Sequence, residues 1–398
     1  MSNTNEGHRR LILLLGLLTA FGPMSIDMYL PAFPAIAGEF GVDIAAVQYT
    51  LAAYNGGLAL GQLFYGPLAD RWGRKPSLLA GMLLYALASI GCAWAPSVGG
   101  LVGLRLLQAL GGCAGMVLAR AIVRDRFEGN EAARVFSTMM LIMGVAPILA
   151  PSVGSLVVAR ADWRLIFWLL AGLAALALLG VAAVLPETLP AARRSPAAVR
   201  RALPTYARLL QDRSFVGYAL TAGMVQAAMF AYITGSSFVF TQLFGLSGGQ
   251  YSLLFSLNAS GLIAASQLNG RLLRRFGFQQ VLRAVTLVVP LAGLLLGLAY
   301  TGWLGIYGIT LPLFVMVSCV GFTSPNATAG ALHAHAAQAG SASALLGTLM
   351  YTCGAAAAVA VSALADSTVV PMAAVMAGCG LLACLLYRWL VPQPPPAA

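Results

Sequence analysis

Apolar stretches long enough to cross a bilayer follow one another along almost the whole chain, and few architectures accommodate that. A bilayer core takes about 20 apolar residues per helix. By that rule about twelve spans are predicted, at roughly 11–33, 44–66, 77–95, 98–121, 134–158, 164–185, 214–238, 250–270, 279–300, 303–327, 341–363 and 369–391. Backbone amides within lipid must bond inside their own helix or around a closed barrel. A barrel would show alternating segments of about 10 residues, and the sequence has none. The reading is an all-α polytopic membrane protein. Only 9% of the residues are charged and the mean hydropathy is +0.84, against roughly 25% charged in a soluble domain.

The net charge of +11 would suit a nucleic-acid binder, but position argues otherwise. The basic residues lie mostly between apolar segments, where they set topology. Arg9 and Arg10 precede the first span. Arg71, Arg74 and Lys75 follow the second, and Arg124, Arg126 and Arg134 the fourth. Arg193, Arg194, Arg200, Arg201, Arg208 and Arg213 follow the sixth, Arg271, Arg274 and Arg275 the eighth, and Arg388 lies near the C-terminus. The opposite connections hold little beyond Arg160 and Arg164. Both termini and the long middle loop are therefore expected in the cytoplasm. MSNTNEGHRR leads into the first span with no A-x-A-like site after it, which reads as a retained helix rather than a signal peptide. The six cysteines all lie in apolar stretches without a CxxC pair, so neither a metal site nor a disulfide framework is indicated. No cofactor and no nucleic-acid partner is expected, and nothing demands more than a monomer.

The middle loop divides the chain into 1–186, a basic linker 187–213, and 214–398. The linker's basic face could touch anionic headgroups or do no more than set topology. The halves look like a repeat. GPLADRWG (Gly66 to Gly73) has a worn echo in GRLLRRFG (Gly270 to Gly277), with both glycines displaced by 204 positions (66 to 270, 73 to 277). Two parallel six-helix repeats, with a substrate site between them near the midplane, describe one major transporter architecture.

The first span, Leu11 to Pro34, carries Asp27 and three prolines, Pro23, Pro31 and Pro34. An acid at membrane depth costs about 2.5–3.5 kcal/mol. Thr19, Pro23, Asp27 and Pro31 recur every four residues and so share a helix face. Pro23 cannot donate to the carbonyl of Thr19, nor Pro31 to that of Asp27. Such a stripe belongs on a protein interior or a wet cavity. Either Asp27 is a structural acid paired with an arginine, or it handles protons or cations. The fourth span holds Arg105, with Gln108 one turn on. Asp27 and Arg105 each lie about seven residues from the outer end of their span, about 10 Å deep, and are expected to pair. Burial works against the charge of Asp27 and a neighbouring Arg105 works for it. Gly111, Gly112 and Gly115 allow close helix contact.

The exit of the second span reads GQLFYGPLADRWGRKP. Gly61 and Gly66 would let a neighbouring backbone approach, Pro67 would help end the span, and Gly73 would supply the turn. Asp70 sits among Arg71, Arg74 and Lys75. This stretch resembles the loop signature of the major facilitator superfamily, G-x-L-a-D-r-x-G-r-k, through Asp70, Arg71, Gly73, Arg74 and Lys75. The resemblance implies a loop that latches the cytoplasmic helix ends and gates alternating access. The second copy has Arg274 where Asp70 would fall, which implies an asymmetric latch. LQALGGCAGMVLARAIVRDRF resembles the family's proton-linked arginine motif, with Arg105 in the arginine position. MGVAPILAPSVGSLV, with Gly144, Pro147, Pro151 and Gly154, resembles its antiporter signature, though Ala150 stands where many antiporters have Gly. DWRLIF (Asp162 to Phe167) and LPETL (Leu185 to Leu189) match the edges of its sixth span, and Asp162 suits a helix N-cap. With SIDMYLPAFP, these runs resemble the bicyclomycin/chloramphenicol-resistance branch of drug–proton antiporters. The resemblance implies export of small, fairly apolar compounds across a bacterial inner membrane, driven by the proton gradient with Asp27 and Arg105 as coupling residues.

The second half is poor in acids and offers amides and aromatics instead: Gln226, Phe230, Tyr232, Asn258, Phe322 and Asn326. Tyr29, Tyr54 and Asn55 join them from the first half, with Gln108. These residues suit an adaptable pocket for apolar or weakly charged compounds, or ordinary interhelical hydrogen bonding. Gly245 to Gly249 fits a G-x-S-x-G hydrolase pattern, but Ser247 has no base on its side of the membrane. Ser247 with Gln250 reads instead as a capping box, and His333 and His335 as loop residues. A metabolite transporter of the same fold stays open as the second reading. An intramembrane enzyme lacks a catalytic set, and a passive channel does not suit a gating loop.

Overall fold

Where a proline removes an amide donor, a helix must stop or find another partner, and the first span stops. The computed structural model describes residues 2–127, 129–298, 305–335, 338–366 and 368–391. Helix α1 (Ser2–Asp27) runs through Pro23 and ends at Asp27. Leu30 precedes Pro31 and is pushed away from α geometry. A 3-10 turn over Leu30–Ala32 follows, and then α2 (Phe33–Phe40), with Pro34 in its first turn and Gly41 closing it at φ 63°. The continuous Thr19–Pro31 stripe expected from the sequence is therefore broken at the acid itself.

The remaining helices are α3 (Ile44–Trp72), α4 (Arg74–Ala93), α5 (Val98–Arg126), α6 (Gly129–Arg160), α7 (Arg164–Val184), α8 (Ala198–Gln211), α9 (Arg213–Ser237), α10 (Gly248–Leu272), α11 (Phe278–Leu298), α12 (Gly305–His333), α13 (Ala339–Ala363) and α14 (Val370–Leu390). A π-helical turn, Phe238–Leu243, prolongs α9. No strand occurs among the described residues. The long helices fall where hydropathy predicted the spans. The predicted ends of the ninth and tenth spans at 299–304, and the side chains of Arg9, Arg134 and Arg193, lie outside what is described. Among the described residues, ten helical segments are both long and apolar enough to cross a membrane. Helices α3 and α10 have the length, but Gln48, Asn55 and Gln62, and Asn258, Gln267 and Asn269, dilute them.

The chain groups into two compact units, 1–42 with 53–204 and 43–52 with 205–398. In the first, α4 packs on α5 and α7, and α1 on α5 and α6. In the second, α9 packs on α12, α13 and α14, α11 on α12 and α14, and α10 on α12. Pro67 lies inside α3, which continues to Trp72 and stops at Gly73, whose φ of 104° only glycine adopts readily. The turn residue, not the proline, ends the span. Pro147 and Pro151 likewise lie within an unbroken α6. Ser247 and Gln250 form the expected capping box at the start of α10. Asp162 accepts from the Arg164 amide at 2.7 Å, opening α7.

Glycines set the helix spacing in the first unit. A Cβ on Gly61 would lie 2.5 Å from Cys113 Cβ, one on Gly111 2.4 Å from the Tyr85 amide, and one on Gly115 2.5 Å from the Leu18 carbonyl. Gly66 has nothing within 4 Å of its would-be Cβ, so the close approach expected there does not occur. Gly111→Ala is expected to destabilise the protein by about 1–3 kcal/mol, since backbone must move. Gly66→Ala should be close to neutral, its gain in helix propensity offset by crowding of the new Cβ against the ring of Pro67. Thermal unfolding of both variants in detergent checks the contrast.

Asp212 caps α9, accepting from the Ser214 amide at 2.8 Å and the Phe215 amide at 3.2 Å. His335 Nε2 lies 2.9 Å from its other oxygen, so His335 is a partner of the cap rather than an idle loop residue. Burial of Asp212 works to raise its pKa, but the Phe215 and Ser214 amides and His335 outweigh it, and the carboxyl titrates below its ordinary value. A lowered carboxylate contributes stability above its unfolded pKa of about 3.9 and loses it as pH falls through the native value. Asp212→Ala should cost about 1 kcal/mol at neutral pH. The gap to wild type should begin to shrink near pH 4 and close only below the lowered native value, followed by unfolding across that range.

Candidate functional site

Helix α5 begins at Ser97, whose hydroxyl accepts from the Gly100 amide at 3.2 Å, and it brings Arg105 into a fully buried position. An arginine there must be satisfied by protein. Its Nη1 donates to Gln108 Oε1 at 2.5 Å, one turn along the same helix. Its Nη2 donates to the Ser25 carbonyl at 2.9 Å. That carbonyl is free because α1 is ending: the Tyr29 amide, which would reach Ser25 in a continuing helix, turns to Ile26 instead at 3.2 Å. The guanidinium lies 4.2 Å from the Tyr54 ring centroid and 4.6 Å from that of Tyr29, a contact that favours a desolvated cation.

A closed polar circuit supports this arrangement. Gln108 Nε2 donates to Ser89 Oγ at 2.8 Å, and Ser89 Oγ donates to the Tyr85 carbonyl at 2.7 Å. Ser25 Oγ donates to the Phe21 carbonyl at 2.6 Å and so accepts from the Tyr85 hydroxyl at 2.5 Å, which returns the circuit to the residue Arg105 holds. Gly112 allows the Tyr85 ring to lie against α5, 3.0 Å from its would-be Cβ. Ser25, Tyr85 and Ser89 were not singled out from sequence. Small hydroxyl residues in apolar helices are too common to signal a circuit.

Asp27, 4% exposed, ends α1 two residues beyond Ser25. It does not form the expected ion pair with Arg105, and the carboxyl has no other hydrogen-bond or ionic partner among the described residues. The reason is the helix break. Where α1 stops, the Ser25 carbonyl faces α5, and the arginine is spent on it and on Gln108. Gly154 of α6 lies against the same break, its would-be Cβ 2.1 Å from the Met28 carbonyl. Of the α6 residues named from sequence, Gly154 meets the end of α1, while Gly144 is half-buried. Tyr29 packs on Phe33 and Phe167, with centroids 5.1 and 5.5 Å away. Asn55 is buried with neither side-chain polar atom partnered, as is Arg105 Nε.

The loop after α3 forms a second polar cluster. Arg74 Nη1 meets Asp70 Oδ1 at 2.6 Å and its Nε meets Asp125 Oδ2 at 3.0 Å. Its amide donates to Glu187 Oε1 at 2.9 Å, and Arg194 Nη2 lies 3.6 Å from the other Glu187 oxygen. A Cβ on Gly73 would strike Glu187 Oε2 at 2.3 Å, so glycine is required there for both space and φ. The Ser195 amide donates to the Asp70 carbonyl at 2.9 Å, and Lys75 Nζ to the Ala182 carbonyl at 2.8 Å. Arg71 stays exposed beside Trp72. Sequence reading placed the acid–base pairs within the loop and missed Asp125 and Glu187, although both lie in motifs it quoted.

In the second unit, Asn258 Nδ2 donates to the Tyr232 hydroxyl at 2.9 Å, joining α9 to α10, and Tyr232 stacks on Phe255 at 5.7 Å. Asn326 Nδ2 donates to Asn269 Oδ1 at 2.8 Å, joining α12 to α10. Phe230 is buried against Tyr351 and Gly354. Gln226 and Phe322 are half-buried. Asn258 and Asn326 thus have interhelical partners, and Tyr232 and Asn258 are brought together.

Residues 15–359 match the Major Facilitator Superfamily. The uncharacterized MFS-type transporter YdgK of Bacillus subtilis is 38% identical over 382 residues, 94% of each chain. The bicyclomycin resistance protein homolog of Haemophilus influenzae is 32% identical over 379 residues, 95% of each chain. Multidrug resistance protein D of Escherichia coli is 31% identical over 343 residues, 85% of each. A crystal structure of a D-xylose-proton symporter shares the fold, with TM-score 0.76 and 17% identity over 96% of this chain and 97% of that one. The chain, a multi-pass helical membrane protein, belongs to the Major Facilitator Superfamily, among relatives named for bicyclomycin and multidrug resistance.

Proposed function

We propose that the protein is a proton-coupled antiporter that exports small, fairly apolar drugs across the bacterial inner membrane by alternating access, with both termini in the cytoplasm. The observation that carries this reading is Asp27: a carboxyl buried at membrane depth, without a partner, at a helix end that Arg105 holds. An acid so placed is costly, and a proton is the simplest ligand that relieves the cost. The bicyclomycin and multidrug relatives support the substrate class. Tyr29, Tyr54 and Gln108 beside Arg105, with Asn55, Gln226, Phe230, Tyr232, Asn258, Phe322 and Asn326, are the proposed drug-contacting residues, and Asn55 has buried polar atoms free to take a ligand. If drug and proton each disfavour the other, binding is mutually exclusive, which is antiport in thermodynamic terms. Each returning proton draws about 2.3 kcal/mol per 100 mV.

In proteoliposomes with an imposed pH gradient, wild type should drive a drug uphill. Asp27→Asn should lose gradient-driven transport by tenfold or more while keeping drug-for-drug exchange. Normal uphill pumping by that variant would remove Asp27 from the coupling scheme.

The loop network is proposed as the gate's latch. Arg74 is 9% exposed but Asp70 is half exposed, so screening reduces the pair's worth. Arg74→Ala should cost about 1–3 kcal/mol of stability, less than the 3–5 kcal/mol of a fully buried pair. Arg74→Lys keeps the charge but cannot reach Asp70 and Asp125 together. Lys should therefore restore unfolding temperature more than transport rate.

A further inference from the structure

Helix α7 begins at Arg164 and, 18 residues on (164 to 182), about 27 Å along the axis, its Ala182 carbonyl takes Lys75 Nζ beside the Arg74 cluster. A third polar cluster sits at the opposite end. Arg164 grips Glu39 of α2 with both prongs: Nη2 lies 2.7 Å from Oε1, and Nη1 donates to Oε2 at 2.8 Å. The Trp163 indole Nε1 donates to the same Oε2 at 2.6 Å. The guanidinium lies 4.4 Å from the Trp163 ring centroid, and Phe40 closes on that ring at 6.0 Å. Asp162 Oδ2 stands 3.4 Å from Nη1. Neither the proton site nor the drug contacts draw on these groups.

A partly exposed ion pair usually contributes little. This one matters for what it closes. Glu39 follows Asp27 by 12 residues (27 to 39), and between them lie only the 3-10 turn and the eight residues of α2, about 12 Å of stiff helix. On the other side, Trp163 meets Phe167, one turn on, at 6.0 Å. Phe167 in turn lies 5.5 Å from Tyr29 and 5.8 Å from the Arg105 guanidinium. Trp163, Phe167 and Tyr29 are all buried. The contacts form a ring, running from Arg105 through Tyr29 and α2 to Glu39, and back through Trp163 and Phe167. Close packing passes a displacement along such a ring, and a two-pronged arginine–carboxylate contact fixes orientation as well as distance. We propose that Glu39, Trp163 and Arg164 are positioning residues for the proton step: they clasp the far end of α2 to α7 and so hold the helix break, with Asp27 and Tyr29, in register on Arg105. The proton step rests on the antiport reading; the placement of the break does not.

The test uses the full chain in proteoliposomes and has two arms. In the first, Asp27→Cys puts a thiol at the break, and its modification by N-ethylmaleimide is timed. The native cysteines are buried or half-buried, and unsubstituted protein serves as the labelling blank. Adding Glu39→Ala or Arg164→Ala should speed modification about fivefold or more, as the break opens locally. The exchanged pair, Glu39→Arg with Arg164→Glu, should recover most of the slow rate. Glu39→Gln keeps the size and loses the charge, and should give roughly a twofold rise, which keeps the comparison alive where an alanine variant does not fold. Unchanged rates overturn the placement. Fast rates that the exchanged pair does not slow assign the loosening to something other than this contact, and overturn it too. In the second arm Asp27 is intact and gradient-driven drug export is followed against pH. Glu39→Ala should move the pH midpoint by about half a unit or more, and the exchanged pair should move it back. An unmoved midpoint beside fast thiol modification overturns the link to the proton step. Normal pumping by Asp27→Asn removes the antiport scheme instead, and the thiol rates still decide the placement.

Discussion

A single guanidinium donating to a single peptide carbonyl ties α5 to the end of α1. The Ser25 carbonyl loses its helical donor where α1 ends, and Arg105 supplies the replacement at 2.9 Å. A buried carbonyl left without any partner costs about 1–3 kcal/mol. A cation at a helix C-terminus also meets the negative end of the macrodipole. Lysine could not serve in the same way. The planar fork reaches Ser25 and Gln108 in two directions while its faces lie against Tyr54 and Tyr29. Because the arginine is committed to these partners, the neighbouring acid is left without one. The unpartnered state of Asp27 thus follows from the same break that makes Arg105 necessary.

Much of this was legible in the sequence, for particular physical reasons. Hydropathy located the long helices because membrane length is a strong, local signal. Gly73 was legible because a turn between helices this close demands a positive φ. Asp27 and Arg105 stood out because charge is rare within apolar segments. What failed was the geometry between segments. Depth counting brought Asp27 and Arg105 to the same level, and the contact with Ser25 agrees with that. It could not say which atom of that turn the guanidinium would take, because the count assumed a helix continuing to Pro34. The prolines were recognised as donors removed, yet Pro23 and Pro67 are carried within helices while Pro31 marks a true break. At that break Gly154 of α6 packs against the Met28 carbonyl. Gly61 and Gly66 read alike in sequence, and only Gly61 meets a neighbour.

The two polar clusters of the first unit are joined by one rigid element. Helix α5 carries Arg105 and Gln108 near its beginning and Asp125 at its end. Twenty residues separate Arg105 from Asp125 (105 to 125), about 30 Å along the axis. No proline interrupts it. Helix α4 runs alongside, bearing Arg74 at its start and Tyr85 and Ser89 in its middle, and Gly111 keys the two together at backbone contact. Close-packed interiors transmit strain rather than absorb it. A shift of the guanidinium would therefore move α4 and α5 as a pair. At the far end, that motion arrives at Arg74, Asp70, Asp125 and Glu187, where ion pairs are partly exposed and weak enough to exchange. The second unit has no counterpart, since its loop holds Arg271, Arg274 and Arg275 with no acid beside them. The Arg105 site and the Arg74 cluster thus reside in one bundle, joined by the stiffness of two helices rather than by any contact between their acids.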